Sequence, residues 1–143
     1  MKGIKFFENV PAETSCLDVN KLLSQLSPKA KQISHLELAT VMENCVLFIA
    51  IDANTTKNIG MATLTKIWKP TGFFGTLEDI VVDKNYWGRG IATKLIKLAL
   101  KRAKELKMSH VELTSNPKRV RANKLYLSMG AKKRDTNAYR FEL

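Results

Sequence analysis

The stretch 76–107 constrains this chain more than any other part of it. Residues 76–83 read Thr-Leu-Glu-Asp-Ile-Val-Val-Asp, a strand pattern with a β-branched centre. A loop carrying Gly88 and Gly90 follows, and residues 91–107 then form an amphipathic helix. Ile91, Leu95, Leu98, Ala99, Ala103 and Leu106 share its apolar side. Lys94, Lys97, Lys101 and Lys104 line the opposite side, a solvated face in which Lys94 is best placed to approach a bound anion. A strand, a glycine loop and a helix leading to a further strand pattern at 110–114 predict a β-α-β unit.

The remaining elements are read around that unit. Residues 4–7 form a short first strand, and 14–18 cap a helix running to about Leu26, with Leu17, Leu22, Leu23 and Leu26 on its apolar face. Pro28 interrupts, and a second helix covers 31–42. Residues 45–51 are apolar throughout, as a central strand requires. A turn at 52–58 leads to a Thr-rich strand at 59–67, so the pair makes a hairpin. Residues 119–129 form a late helix ended by Gly130, and 139–143 form a last strand. The order is β-α-α-β-β-β-α-β-α-β, a mixed α/β (α+β) chain with antiparallel strands early. At 143 residues it is expected to be one domain spanning 1–143.

Charge narrows the function classes. The net charge of +11 is uneven: residues 1–75 hold 8 Lys/Arg against 6 Asp/Glu, and residues 76–143 hold 16 against 7. A basic second half points to an anionic partner, whether nucleic acid, a phosphorylated cofactor or an acidic surface. Cys16 and Cys45 are far apart, His35 and His110 are isolated and read as structural, and no zinc or other metal pattern emerges. No apolar run reaches the roughly 18–20 residues that cross a bilayer. The start from Met1 to Phe7 meets Glu8 before any signal-like apolar stretch. A soluble, cytoplasmic protein without membrane contact is therefore expected.

The glycine loop carries the chemistry. Two glycines let backbone N–H groups converge, and the following helix N-terminus adds partial positive charge, a combination that binds phosphate. The loop is not a Walker loop, because no Gly-x-x-x-x-Gly-Lys-Ser/Thr run exists. It is not a dinucleotide fingerprint either, since Thr93 stands where a third glycine is needed and five residues separate Val82 from Gly88.

Trp87-Gly88-Arg89-Gly90-Ile91-Ala92, at a strand-to-helix junction, resembles the Arg/Gln-x-x-Gly-x-Gly/Ala signature of the GNAT N-acetyltransferase superfamily. Ala122-Asn123-Lys124-Leu125-Tyr126 and Met129-Gly130-Ala131 resemble its downstream half, so the resemblance covers about 76–131. Trp87 departs from the usual Arg/Gln and Ala131 from a common Phe. Arg119 stands where an asparagine is usual, and Asn123 is the substitute offered. The resemblance implies a central mixed, mostly antiparallel twisted sheet flanked by about four helices. It implies acetyl-CoA as cosubstrate and no metal. Backbone groups of Trp87, Gly88, Arg89, Gly90, Ile91, Ala92 and Thr93 would hold the diphosphate. Those of Ile80, Val81 and Val82 would pair with the pantetheine arm as an added strand does. Asn123 and Tyr126 complete the implied cofactor set.

The expected reaction moves an acetyl group to a primary amine of a small molecule or peptide. An alkylamine is protonated at neutral pH, with a reference pKa of about 10.4, and must lose that proton before attack. Glu78 or Asp79 can accept it, directly or through water; strand alternation places them on opposite faces, and Glu78 is favoured. A backbone N–H near Val81 or Val82 would stabilise the oxyanion. Tyr126 matches the family's acid for the leaving thiolate. No cysteine is placed for an acetyl-enzyme, so direct transfer in a ternary complex is expected. Glu78, Asp79 and Arg140 are the acceptor-binding candidates.

The same residues have plainer readings: Tyr126 as a helix-edge aromatic, Glu78 and Asp79 as solvated strand residues, Trp87 as loop packing, Arg140 as an edge charge. Lys118, Arg119 and Arg121 crowd the start of the late helix, where positive charge opposes the dipole unless an anion is near. Residues 77–82 and Arg140 also resemble glucosamine-6-phosphate N-acetyltransferases, the first alternative. A basic nucleic-acid-binding module and a non-catalytic acyl-CoA sensor are the others; nucleic acid is disfavoured by the absence of a helix-turn-helix, zinc-finger or aromatic RNA-binding motif. A homodimer is left open, and the acceptor's identity is not written in the motifs.

Overall fold

A computed structural model describes residues 2–143; Met1, where the leader reading begins, and the side chain of Thr14 lie outside the described residues. The chain divides into two units, one ending at Leu113 and the other spanning Thr114–Leu143. The first unit holds β1 (Ile4–Glu8), α1 (Ala12–Leu26), α2 (His35–Asn44), β2 (Cys45–Asp52), β3 (Asn58–Lys69), β4 (Gly72–Val82), α3 (Ile91–Glu105) and β5 (Val111–Glu112). Its strands form one sheet in the order β1-β2-β3-β4-β5. The first four are antiparallel and β4–β5 is parallel, so α3 is the crossover of the expected β-α-β unit. This is the mixed, mostly antiparallel sheet anticipated above.

Hydrophobic pattern explains the layering. Val46, Leu47, Phe48, Ile49 and Ala50 of β2 are all buried, because helices cover both faces of the sheet. Leu47, Ile49, Met61 and Val81 face Ala12, Val19 and Leu22 of α1 and Leu38 of α2. The alternate face receives α3 through Ile91, Leu95, Ile96, Ala99 and Ala103. Gly60 makes room there: a Cβ on it would lie 3.3 Å from Ile91 Cγ2 and 3.3 Å from Val82 Cγ2.

Several boundaries differ from the sequence expectation for local reasons. α2 starts at His35 rather than near 31, because the Ser34 hydroxyl accepts from the Glu37 amide while the Glu37 carboxylate accepts from the Ser34 amide. α1 starts at Ala12 directly after Pro11, so the expected cap at 14–18 lies inside the helix. β5 shrinks to two residues.

In the second unit, α4 spans Val120–Ser128. Gly130, with φ of +90°, closes it: its N–H donates to Leu127 O at 3.0 Å and the Ala131 N–H donates to Tyr126 O at 3.0 Å. Residues 131–143 form neither helix nor strand, so the last strand expected at 139–143 is absent. Among the described residues, no helix is long and apolar enough to cross a membrane.

Candidate active site

The site begins with an irregularity in β4. Thr63 pairs with Glu78 and Met61 with Val81, so Ala62 alone faces both Asp79 and Ile80. This is a β-bulge, and Asp79 adopts a left-handed φ of +49° to make it. The strict alternation expected to separate Glu78 from Asp79 is broken here, and both residues are exposed. Surrounding protein nevertheless strips water from the Asp79 carboxyl and pushes its pKa up, and the Glu78 charge adds to that rise.

A polar row runs beside the acids. Register and alternation place Thr63, Thr65, Thr76 and Glu78 on the sheet face that carries Leu47 and Met61. The Thr65 and Thr76 hydroxyls bond to each other. Cys45 pairs with Thr65. Burial raises the pKa of its thiol; the Lys66 charge lowers it and the Asp79 charge raises it.

The other side of β4 is an open edge. β5 pairs with it only at Gly75 and Thr76, leaving 77–82 without a strand on that side among the described residues. The Asp83 N–H donates to Ile59 O at 2.8 Å, so the main chain of Val81 also turns toward β3, while Ile80 and Val82 turn to the open side. The Val82 carbonyl there is already engaged. It accepts from Gln25 Nε2 at 2.7 Å and from the Trp87 indole N–H at 2.7 Å. Gln25 Oε1 in turn accepts the Lys84 N–H at 3.0 Å, tying α1 to the end of β4. Of the three residues expected to offer main chain to a pantetheine arm, Val81 is therefore committed to β3. The Val82 N–H and Ile80 remain.

The loop leads from that edge to α3. A single 3-10 turn, Lys84–Tyr86, is capped by the Asp83 carboxylate, which accepts the Asn85 N–H at 2.9 Å. Gly88 and Gly90 have φ of +78° and +73°, and a Cβ on either would meet nothing within 4 Å. The glycines are there for backbone conformation, and the space above them is open. The first helical bond of α3 runs from the Lys94 N–H to Gly90 O at 3.0 Å. The amides of Ile91, Ala92 and Thr93 thus precede the helix's own hydrogen bonding and point out of its positive end. The Arg89 guanidinium lies 4.9 Å from the Tyr86 ring centre.

Tyr126, Asn123 and Arg140 belong to the second unit. Tyr126 is half-buried on α4; burial pushes its phenol up, partly offset by the Arg119 charge. Asn123 Nδ2 donates to Asn116 O at 3.0 Å, bracing the turn before α4. Arg140 is exposed and lies 3.8 Å from Glu142. The residues that sequence reasoning missed are Gln25, Asp52 and Tyr86. A polar side chain late in α1 and a Tyr within the loop were visible, but their partners lie 57 and 34 residues away in sequence. No group of three or more His, Cys, Asp or Glu that could hold a metal ion occurs among the described residues.

Solved structures share this architecture. An acetyltransferase from Trypanosoma brucei superposes with a TM-score of 0.81 at 24% identity, covering 98% of this chain and 99% of its own. A glucosamine-6-phosphate N-acetyltransferase from Arabidopsis thaliana gives 0.74 at 18% identity, with 95% and 97% covered. An aminoglycoside N-acetyltransferase in complex with CoA gives 0.80 at 18%, with 97% and 94% covered. These likenesses establish the fold. Among curated proteins, no significant sequence match was found. The model of the acetyltransferase (GNAT) family matches residues 17–131, a span that includes the bulged strand, the glycine loop, α3 and Tyr126, and the chain belongs to that family.

Proposed function

We propose that this protein is an acetyl-CoA-dependent N-acetyltransferase that acts on a primary amine by direct transfer. The observation that carries the reading is the open loop. Two left-handed glycines and the free first amides of α3 sit at the end of a strand with an unpaired edge. These features suit coenzyme A. Space above Gly88 and Gly90 is clear, and the main-chain N–H groups of 88–93 suit a diphosphate. Ile80 and the Val82 N–H offer the edge that an extended amide chain would pair with. Acetyl-CoA supplies a thioester-activated acetyl group.

The chain's own residues then have distinct tasks. Glu78 accepts the proton of the acceptor ammonium, with Asp79 beside it sharing the acidic field. The Val82 N–H points away from β3 and can stabilise developing negative charge. Trp87, which stands in place of the usual Arg/Gln, instead fixes the loop through its bond to Val82 O. Tyr126 is the family-motif acid for the leaving thiolate. Its phenol, raised by burial, remains protonated at neutral pH, as a donor must. Cys45 has its thiol pushed up by burial, which disfavours the thiolate that an acetyl-enzyme would need.

The acids at the bulge and the adjoining threonine row favour a cationic amine with hydroxyl neighbours over an anionic sugar phosphate. An amine library containing aminosugars, polyamines, peptides and glucosamine 6-phosphate, assayed by CoA thiol release, tests this. Turnover of a cationic member that Tyr126→Phe abolishes without loss of CoA binding supports the reading. Silence across the library with tight CoA binding makes the protein a sensor instead.

A further inference from the structure

The Gln25 side chain does at the end of β4 what a neighbouring strand would do. Its Nε2 donates to Val82 O at 2.7 Å and its Oε1 accepts the Lys84 N–H at 3.0 Å. A residue of a parallel strand makes the same two bonds around its partner, here Asp83. The Asp83 N–H itself turns the other way, to Ile59 O at 2.8 Å. The Trp87 indole N–H, at 2.7 Å, takes the second lone pair of Val82 O, so that carbonyl accepts no further donor. Gln25 lies in the last turn of α1 and is exposed, so neither the helix nor the core demands an amide there.

Between the glycine loop at 88–93 and the acids at 78 and 79, the open edge offers the Lys84 N–H, Val82 O, the Val82 N–H and Ile80, in that order. Gln25 and Trp87 occupy the first two. Pairing on this edge is therefore left to start at the Val82 N–H and to run toward Glu78. We propose, on the acetyl-CoA-dependent reading above, that Gln25 is a positioning residue. Its amide is a stop that sets where the amide arm of the cofactor begins to pair, and so how far the thioester reaches toward Glu78. Without the stop, the Lys84 N–H and Val82 O become the first partners of that arm, and the reacting carbon is drawn back from the acid.

Gln25→Met keeps the length of the side chain and removes both bonds. Calorimetric titration with CoA, hydrogen exchange at the Lys84 amide, and kinetics with the best amine of the library compare it with wild type. In wild type the Lys84 amide should be equally protected with and without CoA. In the variant it should exchange fast alone and become protected when CoA is added, because the arm has taken the place of Gln25. This readout needs no acceptor. CoA should bind the variant no more weakly than wild type, while kcat falls by about 10²-fold, the cost of misplacing reacting atoms by about 1 Å. A weakened diphosphate site would give the reverse split. Equal kcat in the two proteins would overturn the stop, as would a variant Lys84 amide that CoA leaves exposed. A wild-type Lys84 amide that loses protection when CoA binds would also overturn it, and would make Gln25 a placeholder that the cofactor displaces. Failure of wild type to bind CoA at all would instead overturn the reading on which the stop depends.

Discussion

The Tyr86 hydroxyl donates to the Asp52 carboxylate at 2.6 Å, joining the turn before α3 to the end of β2. Asp52 is buried, and its other oxygen accepts the Asn54 N–H at 2.9 Å. The Tyr86 ring in turn carries the Arg89 guanidinium. The shape of the glycine loop is thus set from a hairpin outside it, by a contact that needs both a phenol and a carboxylate.

That contact predicts an acid-stability change. The bond from Tyr86, followed by that from the Asn54 amide, holds the Asp52 carboxyl below the usual carboxylate range, and the same bond raises the Tyr86 phenol. A depressed carboxylate stabilises the fold above its ordinary pKa and loses that contribution as pH falls through the lower folded value. Tyr86→Phe keeps the ring and removes the largest cause. Its thermal melts, followed from about pH 6 to about pH 2, should lie below wild type near pH 6 and converge on it toward pH 2, so that the acid decline is shallower. Superimposable acid limbs would show that the bond contributes nothing.

The bulge predicts opposite behaviour for its acid. The Asp79 pKa is raised, first by burial and then by Glu78. The folded state therefore holds the proton more tightly. Stability is fully present below the ordinary Asp value and declines as pH rises through the raised one. Asp79→Asn should remove that decline and melt higher than wild type at neutral pH, since Asn tolerates a left-handed φ. Glu78→Gln should lower kcat by about 10²–10⁴-fold if Glu78 is the base. Full activity in Glu78→Gln with loss in Asp79→Asn would move the role to Asp79.

How much of this was legible depends on the range of the interaction. The α3 stripe, the apolar run of β2 and the Gly88–Gly90 loop are local patterns, and each element formed where its period placed it. The Ser34–Glu37 capping box was also local, and reading it would have moved the start of α2 to His35. The bulge at Asp79 was not legible, because it is a mismatch of register between two strands and neither sequence alone contains it. The grip of Gln25 and Trp87 on Val82 O is equally non-local to the strand pattern. At 139–143 the alternation predicts a strand and none forms, because alternation says which residues share a face but does not supply the neighbour that a strand must pair with.

Gly75 marks where β5 joins the sheet, and it should resist any side chain. A Cβ there would lie 2.8 Å from Leu64 Cδ1, 2.9 Å from Met108 Sδ and 3.0 Å from Thr65 O. Backbone oxygen cannot yield as a flexible side chain can. Gly75→Ala should destabilise the protein by about 1–3 kcal/mol through overpacking. It should also weaken the Gly75 N–H bond to His110 O, now 3.1 Å. Urea unfolding measures the first effect and exchange of the Gly75 amide the second. A stability equal to wild type would mean that the β4–β5 junction relaxes freely.

Gly90 should behave differently, because nothing crowds it. With φ of +73° and no atom within 4 Å of a Cβ, an alanine there suffers only the left-handed backbone, at about 1–2 kcal/mol. Gly90 caps α3 and accepts the first helical bond, so relief of that strain swings the amides of 91–93 out of convergence. Coenzyme A affinity should then fall by roughly tenfold, the equivalent of about 1.4 kcal/mol, while kcat at saturating acetyl-CoA changes little. Gly90→Asn separates conformation from bulk. Asparagine is larger than alanine but tolerates the left-handed region, so it should bind CoA more tightly than the alanine variant does. Calorimetric titration ranks the three proteins. Equal affinity in wild type and Gly90→Ala would show that the loop does not hold the nucleotide.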